Sequence, residues 1–186
     1  ATGELMSDAS KILMKVLYGA RLARQDLLRA TCGLASEVTR WTRACDKRLY
    51  RMMCYINSTL DFVTVGKVAK NCDVSKLCYK LFADADWAGC KKTMRSTSGV
   101  LGALFGEGTY FPIVGKSCKQ TCVSTSTPEA ELVAASFAMR TVGLPALDLF
   151  ETVLDRKVIL RFMEDNETCI TVIKAGQSST MRHLKR

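Results

Sequence analysis

The hydrophobic period of this chain changes once, and that change limits what the chain can fold into. Through residue 57 apolar side chains recur at helical spacing; after "NSTLDF" they alternate. Ser7 or Asp8 is placed to cap a first helix carrying Ile12, Leu13, Val16, Leu17 and Ala20 on one face. Asp26 can cap a second, with Leu27, Leu28, Ala30, Thr31, Leu34, Ala35 and Val38 as its buried stripe. A third, from about Ala44 to Ile56, sets Leu49, Met52, Met53 and Ile56 against Lys47, Arg48 and Arg51. Beyond it, strands are expected over Asp61–Val68, Cys78–Asp84, Thr97–Phe105 and Thr109–Gly115, the last two split by the turn "GEG". "STPEAELVAASFAMRTVG" then predicts a helix with Ser126 or Thr127 as cap and Pro128 in its first turn. Gly143-Leu144-Pro145 is expected to interrupt it before a helical stretch over 146–154. A strand over Lys157–Met163 and a helix over Asn166–Ala175 follow, and the tail 177–186 is polar and basic. The class is α/β (α+β): helices first, then a mixed sheet with flanking helices.

Acidic residues stand at particular ends of these elements. "KLFADADWAGC" ends a strand in Asp84 and Asp86, which the two-residue period points the same way. Like charges on one face are unfavourable unless a cation, a basic partner or water lies between them. Glu131 lies in the first turn of the long helix, and Asp165 closes the strand over Lys157–Met163. Each alone has a plain explanation. Glu129 and Glu131 suit the positive end of a helix dipole, and Asp165 can cap the helix that starts at Asn166. Together, adjacent strand ends and one helical turn can bring three carboxylates to one point, where a divalent ion, typically Mg²⁺, would hold their charges together.

Charge and cysteine usage narrow the classes further. The 186 residues carry 27 Lys+Arg against 18 Asp+Glu, a formal net charge of +9, which favours an anionic partner. Nucleic acid comes first and a membrane surface second. The apolar runs are broken by charge and none is expected to approach the ~18–20 residues of a membrane span. A 48% hydrophobic composition is enough to build a core. Nine cysteines without a CxxC pair, and one histidine at position 183, are poor metal-ligand spacing. They are expected to be free thiols, without zinc or disulfides, in a reducing intracellular compartment, mitochondrial or another organelle among the options. No signal-peptide pattern is present, and the start at Ala1 rather than Met is the kind expected of a processed chain or one lacking its natural start.

Three stretches carry a family resemblance. "FADADWAGCKKTMRSTSGVLGALFG", "KQTCVSTSTPEAELVAA" and "RFMEDNETCITVI" resemble the ribonuclease H domain of copia-type LTR retrotransposon polyproteins. "KILMKVLYGARLARQDLLRATCGLASEVTRW" with "DKRLYRMMCYINST" is similar to the connection region that precedes it. The resemblance implies a helical connection region over 1–77 and an RNase H-like domain over 78–186 that lacks the family's terminal strand and helix. It implies that Asp84, Glu131 and Asp165 are the catalytic, metal-binding carboxylates, with Asp86 part of the motif but not a principal ligand. Two Mg²⁺ ions would then serve hydrolysis of the RNA strand in an RNA–DNA hybrid. Lys91, Lys92 and Arg95 would lie where the nucleic-acid backbone passes, and Lys47, Arg48 and Arg51 would extend the basic surface.

Departures from the family also bear on function. The fourth carboxylate, which the family carries on its last helix, has no counterpart, Lys185 stands where an acid is common, and Cys90 takes a place often filled by Asp. Two functions are therefore expected. The first is a co-opted, non-catalytic RNA-binding component of a ribonucleoprotein assembly such as an organelle ribosome, which needs no cofactor. The alternative is a Mg²⁺-dependent ribonuclease H. In either case the partners expected are RNA or an RNA–DNA hybrid, no membrane, and a protein along the open sheet edge near Val158–Phe162, unless RNA or the tail covers that edge.

Overall fold

The computed structural model describes residues 1–176. The chain divides into two compact units, the first Ala1–Val65 and the second beginning at Gly66. Helix α1 (Met6–Leu22), α2 (Leu28–Ala35) and α3 (Arg43–Ser58) build the first. Their apolar stripes meet in a core of Ala9, Leu13, Leu34, Trp41, Leu49 and Met52, as the helical spacing requires. Asp46 secures the chain start to this core: its carboxylate accepts from the Trp41 indole at 2.6 Å and from the Glu4 backbone N–H at 2.8 Å. Arg24 does the same at the other end, donating to the Thr59 carbonyl and to Asp26, both at 2.8 Å. Lys47, Arg48 and Arg51 are exposed on α3.

The second unit is mixed α/β. Four strands, β1 (Cys78–Asp86), β2 (Thr97–Gly106), β3 (Thr109–Lys119) and β4 (Ile159–Met163), form one sheet in the order β3-β2-β1-β4. The first three are antiparallel neighbours and β4 joins β1 in parallel, reached through α4 (Thr127–Ala138) and α5 (Leu144–Leu154). A parallel return needs such a helical crossover. Tyr79, Leu81, Ala83 and Ala85 form the buried side of β1 and pack against Ala130, Ala134 and Ala138 of α4. Small residues every fourth position let the helix lie close to the sheet. After β4 comes α6 (Glu167–Ala175), whose N-cap Asn166 accepts from the Cys169 N–H at 2.9 Å. Asn166, not Asp165, is the cap.

Several expectations change. No strand forms over Asp61–Val68: this stretch is irregular, and its one bridge joins Lys67 to Tyr110. Its alternating Phe62, Val63, Val65 and Val68 are exposed, because alternation without a partner strand satisfies neither the backbone nor the side chains. Residues 66–77, read from the sequence as part of the helical region, lie in the same unit as the sheet. Lys67 and Tyr110 exchange backbone hydrogen bonds there at 2.7 and 2.8 Å. Gly143-Leu144-Pro145 does not break the helix. A π-helical turn, Met139–Gly143, carries α4 directly into α5, and the Thr141 carbonyl, four residues before Pro145 and out of reach of a proline N–H, accepts from Lys116 Nζ at 3.0 Å. Gly143 is needed for closeness, since a Cβ there would stand 2.8 Å from Leu81 Cδ2.

The joined helix, Thr127–Leu154, is long and apolar enough by length and composition to cross a membrane, which the separate apolar runs of the sequence do not suggest. Its α4 part packs on the sheet, whereas α5 has no fully buried residue. All nine cysteines are free. Among the described residues β4 pairs only with β1 and forms a sheet edge; the tail expected to reach that edge lies outside the described residues.

Candidate functional site

The pairing of β1 with β4 determines where the acids fall. Their parallel ladder ends at Phe82 opposite Met163. Two residues further along each chain, Asp84 comes level with Asp165. Along β1, Tyr79, Leu81 and Ala83 face the helices, and the partners of the first two, Leu160 and Phe162, pack into the same core. Continuing the two-residue alternation puts Glu164 on that helix-covered side, and Asp84 and Asp165 on the other. Exposure agrees: Asp84 and Asp165 are exposed, whereas Glu164 is half-buried.

Glu131 enters the helix-covered side from α4, as its fifth residue and so just past the first turn in which the sequence was expected to place it. Ser126 caps that helix by accepting from the Glu129 N–H at 3.4 Å. The loop before it is held by Gln120, which donates to the Ala130 carbonyl at 2.9 Å and to Ser98 Oγ at 3.1 Å. Glu131 is only 4% exposed. Burial pushes its carboxyl up to about 7, and the charges of Asp84, Glu164 and Asp165 add to the rise, against a backbone hydrogen bond from Ala85. Its Oε2 is buried without a hydrogen-bond partner. Glu164 is also raised, by burial first and then by Asp165 and Asp84. Its Oε1 accepts from the Asn166 N–H at 3.2 Å, while its Oε2 is buried and without a partner. Cys169, fully buried on α6, lies close enough that burial, Glu164 and Glu131 together push its thiol up to about 12.

Four carboxylates thus act on one another where β1, α4 and β4 meet. They do not form a finished cage: among the described residues no three His, Cys, Asp or Glu side chains are grouped closely enough to hold a metal ion. Asp84 and Asp165 approach from the open face of the sheet, and Glu131 and Glu164 from the covered one. Mutual repulsion disfavours closer approach of four acids while no cation lies between them. The donor set is carboxylate oxygen, suited to a hard ion such as Mg²⁺, and the two buried oxygens without donors fit that use.

Asp86, the second acid of the opening motif, has a structural role. It accepts a short hydrogen bond from the Thr97 N–H and so closes the connection from β1 to β2. That connection carries Lys91, Lys92 and Arg95, all exposed. It is shaped by left-handed backbone at Ala88 (φ 51°) and Met94 (φ 55°), with the Ala88 N–H donating to Ser96 Oγ at 3.1 Å. Cys90 sits in the same loop. Thr93 donates to its sulfur and Lys119 Nζ lies 3.3 Å away, which holds the thiol down to about 6.

Reading the sequence alone missed Glu164, Cys169, Gln120 and the low thiol of Cys90. For Glu164 the available signal was parity: it falls on the same strand face as the apolar Leu160 and Phe162. No protein-family model matches the sequence, and no solved structure matches the chain.

Proposed function

We propose that this chain is an RNase H-like, divalent-metal-dependent nuclease that acts on the RNA strand of RNA–DNA hybrids. One observation carries the reading. Glu131 is buried, carries an oxygen with no donor, and stands under the charges of three further acids. Burying an unpaired carboxylate is strongly unfavourable, and a bound cation offsets that penalty. The order β3-β2-β1-β4, with a helix between the antiparallel strands and the parallel one, supports the same reading. Asp84, Glu131 and Asp165 would hold Mg²⁺, which supplies a nucleophilic water and stabilises the leaving oxygen. Lys91, Lys92 and Arg95 would position the hybrid by its phosphates.

The test is cleavage of a labelled hybrid with Mg²⁺ or Mn²⁺ by purified protein and by Asp84→Asn. The expected loss in the variant is about 100-fold or more, the scale of a misplaced reacting group. Absent cleavage, or equal cleavage by both, overturns the reading.

A second reading has its own support in the +9 charge and in the lack of a finished metal cage among the described residues. It is the non-catalytic RNA-binding component of a ribonucleoprotein such as an organelle ribosome. It expects wild type and Asp84→Asn to bind RNA alike and neither to cleave. If α3 contributes, charge reversal at Lys47, Arg48 and Arg51 lowers the salt-dependence slope of RNA binding by about 0.7 for each phosphate no longer neutralised.

A further inference from the structure

We propose that Glu164 is a further metal-facing carboxylate of this cluster, paired with Glu131 on the helix-covered side of the sheet. The proposal rests on the divalent-cation reading of the site. Strand parity places Glu164 there, one residue past the last β1–β4 pair, Phe82 with Met163. The side chain is held at one oxygen only. Oε1 takes the Asn166 N–H, and Asn166 is itself fixed as the cap of α6. Oε2 is buried and receives nothing, and the same is true of Oε2 of Glu131, a residue only 4% exposed.

A carboxylate with a purely structural task looks different. Glu129, two residues before Glu131, accepts at Oε2 from both the N–H and the hydroxyl of Thr125, at 2.8 and 2.7 Å. Glu164 and Glu131 instead leave an oxygen bare inside a ring of like charge, with Asp84 and Asp165 near enough to act on both. Cys169, on α6, is fully buried and near enough to feel both acids. Buried bare oxygens and like charge describe a place that a hard cation stabilises.

The experiment uses Mn²⁺ alone, without nucleic acid, read by calorimetry and by the metal-induced rise in Tm. In Glu164→Gln the affinity is expected to fall about tenfold or more. The Tm without metal should rise, because a repelling charge has gone, and the gain in Tm on adding Mn²⁺ should shrink. Glu164→Asp should fall between Gln and wild type, and Glu167→Gln, an exposed neighbour in α6, should match wild type. Wild-type Mn²⁺ affinity in Glu164→Gln, alongside weakened binding in Asp84→Asn, overturns the role of Glu164 and leaves the cation reading standing. No Mn²⁺ binding by the wild type overturns both. Should the Gln variant fail to fold, the Asp variant decides, and unchanged affinity there overturns the proposal.

Discussion

Glu129 and Glu131 stand two residues apart near the start of one helix and are buried almost equally, 3% and 4% exposed, yet their surroundings are opposite. Glu129 turns back to the loop and is met by two donors from Thr125, which makes it a lock on the helix start. Glu131 turns toward the ends of β1 and β4, where it meets three other acids and keeps an unfilled oxygen. The same residue type, at the same depth and two positions apart, is stabilising in one direction and destabilising in the other. Burial of a carboxyl is thus uninformative until its donors are counted.

The largest expected effect that would break this comparison is on stability. Glu129→Ala removes both hydrogen bonds with Thr125, an exposed residue, and should cost about 1–3 kcal/mol, the sum of two net hydrogen-bond contributions. Glu131→Gln should move the other way and stabilise the metal-free protein. Urea unfolding of both variants measures the contrast, and equal losses would erase it.

The next effect is a pH dependence. Glu131 is raised from 4.5 to about 7, so across that interval the folded chain keeps a proton that the unfolded chain has released. Stability should therefore fall as pH rises from about 4.5 to about 7, the interval set by those two values. Glu131→Gln should flatten that slope. Asp26, Asp46, Asp73 and Glu151 are lowered by their hydrogen bonds and neighbouring cations. Their contribution disappears in the opposite sense, as pH falls below the ordinary carboxylate range, so the two trends separate. A profile with no decline toward neutral pH would mean that Glu131 is better paired than its geometry indicates.

The smallest effect sharpens the comparison at a single atom. Asp84→Asn removes one of the charges acting on Glu131 and should lower the titration midpoint of Glu131, while leaving Glu129 unmoved. Carboxyl-resolved NMR titration reads both. An unmoved Glu131 would place Asp84 too far away to share an ion with it.

Much of this was legible in the sequence where two signals coincided. Among the described residues the six α-helices and the four strands of the sheet follow from the period, but of the expected caps only Ser126 holds: α1 starts after Leu5 and α2 after Leu27, neither with a side-chain cap, and Ser7, Asp8 and Asp26 do not serve as caps. Asp61–Val68 shows what the pattern lacks alone: alternation fixes which side chains share a face but supplies no strand to pair with. Asp84, Glu131 and Asp165 could be singled out because each sits at an element end. Glu164 could not, since "MEDN" reads as a polar strand end leading to a cap, and only the register against β1 tells which of two adjacent acids turns inward. The Gln120 contacts and the Lys119 contact to Cys90 Sγ join residues far apart in sequence, which no local spacing reveals.

The π-helical turn has a consequence for phase. Every fourth residue from Ala130 to Leu154 lies in the sheet-side core. A regular helix advances about 40° past a full turn with each such step. Over the whole run that would carry the apolar stripe about two-thirds of the way around the rod. The wider turn at Met139–Gly143 accommodates one extra residue and takes back about 100° of that drift, so that Ala146, Phe150 and Leu154 stay nearer the core than a regular helix would leave them. The wide shape of the turn between Ala138 and Leu144 is therefore what sets the facing of α5. Straightening it to regular helix with no residue lost would turn every side chain of α5 by about 100° relative to α4, whereas losing one residue together with the straightening would leave them facing as they do.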